Sequence, residues 1–402
     1  MKILFITDNF PPETNAPAIR TLEHCKFFNE DGADVNIITC FPNFPDGKVF
    51  AGYKNKLYDK EIIENITVHR VLTYITRNAG FVKRLLDFIS FAIASFIAGL
   101  FIKSDVVVST SPQFFTCFAG FALSRIKRVP WVLEIRDLWP ESVFILDKKS
   151  TVYKLFYWFE YFFYRHANRI IVVTNSFKKT MVSNGIDGEK INVIFNGADF
   201  SNSIPPSGEI ISGIRKKLDL QGKFVLGYIG TFGIAQNIPF YVNLAKKIEQ
   251  ISPDIILLLI GAGVETELIQ NTMDKVQPKN VILLPKITKE EVPLYLGIID
   301  VSLIPLRNEE SFKKVIPSKI FENAGFKKPV LLGVEGEVKE ILETYQLGIF
   351  FLPENEEDFL AKLRLYYENK VILKPDYENF YKKFDRKLLA AKMLEVIRST
   401  LA

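Results

Sequence analysis

The chain has 402 residues, 48% of them apolar and 24% charged, and a formal net charge of +5. At roughly 100 to 200 residues per domain this length predicts two domains with room for two cores, and so mild and evenly spread a charge excludes the dense basic face of a nucleic-acid binder. Cys25, Cys40 and Cys117 are too scattered for a disulfide framework or a zinc site and read as buried thiols of a cytosolic protein.

The first apolar run, Lys2 to Thr7, is too short for a signal peptide and is followed by Pro11 and Pro12, so it reads as a strand. Further short β-branched runs lie at Asp34 to Thr39, Val106 to Ser109, Trp131 to Ile135 and Ile170 to Val173. They lack apolar/polar alternation, as parallel strands covered on both faces do. Two segments between them are unusually apolar. Leu85 to Ile102 carries Asp87 as its only charge, between Lys83, Arg84 and Lys103. It falls at the short end of the roughly 17 to 25 residues that span a bilayer, and a buried Asp opposes spanning. Tyr153 to Arg165 is aromatic on nearly every side of a helix, with Lys154, Glu160 and Arg165 as its charges. Each fits a membrane–water boundary or a helix packed on a sheet; together they favour the boundary.

Asn196 to Asp199 reads as a turn and Ser201 to Gly208 is rich in Ser and Pro. The domain boundary is therefore expected there, with a first domain over 1–200, a second over 201–383, and a last helix at about 384–402 packing back on the first. The second half repeats the plan with strands at Phe224 to Ile229, Ile255 to Ile260, Val281 to Leu284, Val301 to Pro305, Val330 to Gly333 and Gly348 to Leu352. Pro239 to Gln250 and Lys289 to Gly297 are helical stretches between them. The expectation is α/β: two open, doubly wound, mostly parallel sheets, with ligands beyond the strands' carboxyl ends in a cleft between facing domains.

The strand-end residues carry the chemistry. After the first strand runs a polar, proline-rich loop containing Pro12, Glu13 and Asn15 and leading to Arg20, which fits a substrate pocket or a structural connector. After the fourth come Glu134, Arg136, Asp137, Trp139 and Glu141, a charged set that is expensive to bury without a role. In the second half, Gly227, Gly230 and Gly233 follow a strand, and such spacing lets backbone N–H groups approach a diphosphate. Gly261 and Gly263 end another strand, and Arg307 adds a cation. Pro317 and Ser318 suit a helix's first turn, where Lys319 beside unpaired N–H groups would hold phosphate and Glu322 would accept from ribose hydroxyls. An ordinary i,i+3 ion pair is the alternative for those two residues.

Asp-x-Asp triplets, a P-loop and the His-Glu-x-x-His or Cys-x-x-Cys spacings are absent, so no metal ligands are proposed.

Across nearly its whole length the chain resembles retaining glycosyltransferases of family 4 with the GT-B fold, and more narrowly the WbuB-like L-fucosamine transferase subgroup of O-antigen and capsule biosynthesis. The resemblance is carried by the Pro12-Glu13 to Arg20 loop, Pro42 to Gly47, Gly52-Tyr53, Thr110-Ser111-Pro112, the specific string from Arg136 to Ser142, Asn196-Gly197, Gly230 to Gly233, and Pro317 to Glu322. It implies Rossmann-like domains. It also implies transfer from a UDP-sugar to a lipid-linked saccharide at the inner face of the plasma membrane, with the enzyme peripheral there through Leu85 to Ile102 and Tyr153 to Arg165. No cofactor or metal is expected. The implied donor ligands are Gly230, Thr231, Gly233, Gln236, Lys286, Arg307, Lys314, Pro317, Ser318, Lys319 and Glu322. Asp137, Arg136 and Glu13 would serve catalysis, and Pro12, Asn15, Arg20 and Trp139 the acceptor.

Departures exist. Lys314 stands where the family's Glu-x7-Glu motif has its first glutamate, and Thr231 and Asn237 replace the usual Arg and Lys after the glycine turn. A GT-B UDP-sugar epimerase, or a catalytically inactive nucleotide-binding scaffold, remains as an alternative.

Overall fold

The computed structural model describes every residue except 77–80, 112, 142–146, 148, 202 and 402, so Pro112 and Ser142 of the motifs above lie outside the described residues. The chain forms two compact units, Met1–Asn196 with Arg386–Ala402, and Gly197–Asp385.

In the first unit β1 (Lys2–Ile6), α1 (Ala16–Glu30) and β2 (Asp34–Cys40) are followed by β3 (Tyr58–Ile63) and β4 (Ile66–Val71). Then come α2 (Phe81–Phe101), β5 (Val106–Thr110), α3 (Thr116–Lys127), β6 (Trp131–Ile135), α4 (Thr151–His166), β7 (Arg169–Val172), α5 (Asn175–Ser183) and β8 (Ile191–Val193). The eight strands lie in the order β3-β4-β2-β1-β5-β6-β7-β8, and every pairing except β3 with β4 is parallel. The hairpin β3–β4 and the short β8 were not expected from the sequence. β3 and β4 interleave charged and apolar residues, β8 is only three residues long, and the hairpin turn is made by Glu64 and Asn65, both at positive φ, as a type I′ hairpin turn requires. Strand order reverses between β1 and β5, so the loops after β1, β5 and β6 end side by side.

In the second unit α6 (Gly208–Lys217), β9 (Phe224–Thr231), α7 (Ile238–Asn243), α8 (Ala245–Ile251), β10 (Ile255–Ala262), α9 (Thr266–Val276) and β11 (Val281–Leu284) come first. They are followed by α10 (Val292–Ile298), β12 (Val301–Pro305), α11 (Lys319–Gly325), β13 (Val330–Gly333), α12 (Glu337–Thr344), β14 (Gly348–Phe350), α13 (Glu356–Tyr367) and α14 (Tyr377–Phe384). The expected helix over 239–250 is two helices that meet at Leu244. All strand pairs are parallel, in the order β11-β10-β9-β12-β13-β14, with the reversal between β9 and β12. Fully buried Leu226, Leu257, Leu259 and Leu331 fill its core.

The chain then returns to the first unit as α15 (Arg386–Arg398). Leu389, Met393, Leu394 and Ile397 of this helix join Ile3, Phe5, Val35 and Val108 in the first unit's core.

Candidate active site

In the second unit, α11 begins at the carboxyl end of the sheet and aims Lys319 back at β9. Its Nζ donates to the carbonyl of Ile229 and lies 5.3 Å from the centre of the Tyr228 ring. Burial lowers the lysine's pKa, and nearby Glu322 opposes this. A Cβ on Gly230 would collide with the lysine's Nζ and Cε, and a Cβ on Gly261 would run into the Gly230 carbonyl. Glycine at these positions therefore lets two strand ends and an ammonium group converge. Lys319, Glu322 and Asn323 line a cavity of about 10 Å³ with Gly227, Ile229 and Ser302. Ser318 makes no side-chain cap, while its carbonyl receives the N–H of Phe321 at 3.0 Å. The Pro317 carbonyl likewise receives the N–H of Ile320.

The other expected donor ligands divide by position. Thr231 is exposed, and its carbonyl accepts from the Tyr228 hydroxyl at 2.7 Å. Gln236 packs over Gly233 in a single 3-10 turn, Ile234–Gln236. Arg307 is tied to that same turn: its Nε donates to the Ile234 carbonyl at 2.7 Å, and its guanidinium lies 3.5 Å from Glu265. Glu265 is 6% exposed, with its second oxygen buried and unpartnered; burial raises its pKa and Arg307 opposes the rise. Glu265 stands two residues beyond the Gly261 and Gly263 pair and belongs to no motif of the sequence. Lys314 ends the turn Phe312–Lys314, and Lys286 is exposed beyond β11, the edge strand farthest from β12 on that side of β9. Asn237, in the left-handed region, donates to Glu354 at 2.6 Å.

In the first unit, Asp137 and Arg136 follow β6. Their N–H groups point at Ser111 Oγ, 2.7 Å from Arg136 N and 3.4 Å from Asp137 N. Burial pushes the Asp137 carboxyl up to about 6 against the lowering effect of Arg136. Arg136 holds its Nε and Nη1 buried without a hydrogen-bond partner. Trp139 stands in an aromatic box, stacked on Phe114 at 5.7 Å and edge-on to Phe88 and Phe156 at 6.5 and 6.0 Å. Glu13 is buried and accepts the N–H groups of Asn43 and Phe44 at 2.8 Å each, which fastens the loop after β2. Burial raises its pKa, and its other oxygen is buried without a partner. Pro12 is exposed on the same loop. Asp8 has a pKa raised well above the usual range by burial, by Asp87 of α2 and by Glu13. Asp8 and Asp87 thus join this strand end although the sequence pattern assigned them no role.

Two residues expected to meet the acceptor have other tasks. Arg20 is 2% exposed and binds Glu134 through Nε and Nη2 at 3.0 and 2.9 Å, while Nη1 reaches the Phe195 carbonyl at 2.7 Å. A guanidinium so enclosed is part of the interior. Asn15 caps α1, its Oδ1 accepting from Ala18 N at 2.9 Å.

Among the described residues, no group of three or more His, Cys, Asp or Glu is placed to hold a metal ion. Val82–Phe101 is long and apolar enough to cross a membrane, and only 22% of its most apolar window is buried. Its inner side, with Phe91, Ala92, Ser95 and Gly99, packs against the unit; Leu86, Ile93, Ile97 and Phe101 face out. On α4, Val152, Leu155 and Trp158 are exposed in the same way.

Residues 18–202 match Glycosyltransferase Family 4, and residues 211–386 match Glycosyl transferases group 1. The putative colanic acid biosynthesis glycosyl transferase WcaI of Escherichia coli is 22% identical over 90% of this chain and 91% of its own length. The alpha-galactosylglucosyldiacylglycerol synthase of Streptococcus pneumoniae is 24% identical over 58% of this chain and 60% of its own. Among solved structures, HepE of Anabaena in complex with UDP and glucose superimposes with a TM-score of 0.74 over 99% of this chain and 100% of that one, at 17% identity.

Proposed function

Because this chain is a glycosyltransferase of the GT-B fold that resembles polysaccharide-biosynthesis enzymes, we propose that it moves an N-acetylated amino sugar from a UDP-sugar to a lipid-linked saccharide, with retention of anomeric configuration. N-acetyl-L-fucosamine is the first donor to test, and O-antigen or capsule synthesis at the inner face of the plasma membrane is the setting. The observation that carries this reading is the Lys319 ammonium held over the glycine end of β9.

As the sugar–phosphate bond breaks, negative charge grows on UDP. Lys319 opposes it with fixed positive charge, the Gly230 to Gly233 turn, whose Phe232 N–H is given to the Ala262 carbonyl at 3.0 Å, lets the diphosphate approach closely, and Glu322 holds ribose. Lys286, Lys314 and Arg307 are secondary cations; Arg307 acts by shaping the turn through Ile234 and Glu265. This arrangement needs no metal. The acceptor hydroxyl attacks from the face the nucleotide leaves, and the departing phosphate takes its proton; Asp137 orients that hydroxyl, and Arg136 and Glu13 assist it. HepE, crystallised with UDP and glucose, supports the UDP assignment. The pneumococcal synthase, named for a diacylglycerol product, and the bare apolar faces of α2 and α4 support a lipid-borne acceptor. Lys83, Arg84, Lys103, Lys154 and Arg165 are exposed beside those faces, where they would meet anionic headgroups.

The test is a panel of UDP-sugars with lipid extract as acceptor, followed by UDP release and by NMR of the product. Transfer from a UDP-N-acetylamino sugar with retained configuration is expected. Inversion, release of a free epimerised sugar, or no UDP binding would each overturn the proposal.

A further inference from the structure

Trp139 is two residues from Asp137 and is held by rings from three elements. Phe88 of α2 meets it edge-on, Phe156 of α4 meets it edge-on, and Phe114 of the loop after β5 stacks on it. Phe88 also meets Phe115 at 6.4 Å and carries the Arg84 guanidinium 5.6 Å from its ring centre. Phe156 is buried, and its ring edge also meets Phe114.

The helices that grip Trp139 are the two whose outer faces are bare and apolar. Leu86 and Ile93 stand on the exposed side of α2, turned away from Phe88, and Leu155 and Trp158 on the exposed side of α4, turned away from Phe156. One surface of each helix therefore faces outward while a ring on its inner side, Phe88 or Phe156, touches Trp139 of the loop that carries Asp137. Toward the later turns of α4, beyond Phe156, that loop is loosely packed. Asp137, Trp139 and Phe114 share with Glu160 and Tyr164 a cavity of about 10 Å³, near the volume needed for one water. A side chain held by rings on one edge and under-packed on another follows the elements that hold it.

We propose that Phe88 and Phe156 are positioning residues that carry the docking of α2 and α4 on an anionic lipid surface to Trp139, and so set the placement of Asp137. This rests on the lipid-surface reading above. Bilayer contact seats the two helices, their rings close on the indole, and the Asp137 carboxyl is brought to its working position. Off the membrane the loop relaxes toward the cavity and turnover falls, which confines transfer to the surface where a lipid-borne acceptor resides.

Vesicles of phosphatidylcholine with phosphatidylglycerol are the probe, read by co-sedimentation, by turnover with lipid extract, and by tryptophan emission. With Trp131→Phe and Trp158→Phe leaving Trp139 as the reporter, its emission is expected to shift when vesicles bind. In the otherwise native chain, Phe88→Leu keeps apolar volume but removes the ring edge. It is expected to bind vesicles and UDP as before and to lose roughly tenfold to a hundredfold of the vesicle-stimulated kcat, the scale of a small misplacement at a reacting centre. A merely structural ring would lower activity equally with and without vesicles. Vesicle binding with no change at Trp139, or Phe88→Leu with full stimulation, overturns the coupling while leaving the transferase reading intact. Failure of the native chain to bind vesicles overturns the coupling together with the lipid-surface reading.

Discussion

Lys319 donates its ammonium proton to the Ile229 carbonyl in the space that Gly230 leaves open by having no side chain. The lysine and the glycine form one device: the residue that supplies charge needs the residue that supplies room.

Replacing either should therefore have the same consequence. Lys319→Ala removes a charge-assisted contact worth about 1.5 to 3 kcal/mol, so UDP affinity is expected to fall roughly tenfold to a hundredfold. Gly230→Ala keeps the ammonium but pushes it out of place and should approach the same loss. Calorimetric titration with UDP checks both, and native affinity in either variant would remove Lys319 from the nucleotide site.

Asp137 has a carboxyl pushed up to about 6 by burial. If its ionised form orients the acceptor hydroxyl, kcat rises with pH through about 6, and Asp137→Asn abolishes that limb while lowering kcat by roughly 10² to 10⁴. A folded-state pKa above the unfolded value means that this group favours folding below the unfolded pKa and loses that contribution as pH rises through about 6. Asp137→Asn is thus expected to raise thermal stability at pH 8 relative to the native chain and to bring no such gain at pH 4. A variant with native turnover would remove Asp137 from the reaction.

The pair Arg20–Glu134 is buried on both sides. Arg20→Met leaves Glu134 without its main partner and should cost about 3 to 5 kcal/mol in urea unfolding, whereas Arg20→Met with Glu134→Met should recover much of it. UDP affinity of the folded fraction should stay native in both, because the pair belongs to the other unit. If Arg20→Met instead left stability unchanged and raised only the acceptor KM, the acceptor role expected from sequence would be restored.

Ile93 and Ile97 face out from α2, the latter 52% exposed. Ile93→Asp and Ile97→Asp are expected to abolish co-sedimentation with anionic vesicles while UDP binding and thermal stability stay native. Each removes an apolar group worth about 1.5 to 3 kcal/mol on burial. Undiminished vesicle binding in the double variant would sink the lipid-surface role of this helix.

Metal dependence has a direct check. UDP release by the native chain should be unchanged by EDTA, since fixed cations carry the charge in the proposed reaction; a loss that magnesium or manganese restores would contradict this.

Much of the architecture was legible because it depends on local pattern. Unbroken β-branched runs such as Trp131 to Ile135 and Ile255 to Ile260 are what strands covered on both faces require, and Gly230 and Gly261 stand at strand carboxyl ends as their spacing predicts. The hairpin β3–β4 is not legible in the sequence because β3 interleaves charged residues with apolar ones and the turn uses Glu64 and Asn65 rather than glycine.

The sequence by itself determined two doubly wound sheets, the positions of their carboxyl ends, and the residue types gathered there. These follow from periodicity and from what each backbone position permits. Only the tertiary structure decided which charges are spoken for. Arg20 is claimed by Glu134, Arg307 is drawn toward Glu265, and Asn15 is spent on a helix cap. It also decided that Trp139 leans on Phe88 and Phe156 of two distant helices. The physical reason is range: propensity and pattern act over a few neighbours along the chain, whereas a buried cation or ring finds its partners by packing, which no local stretch encodes.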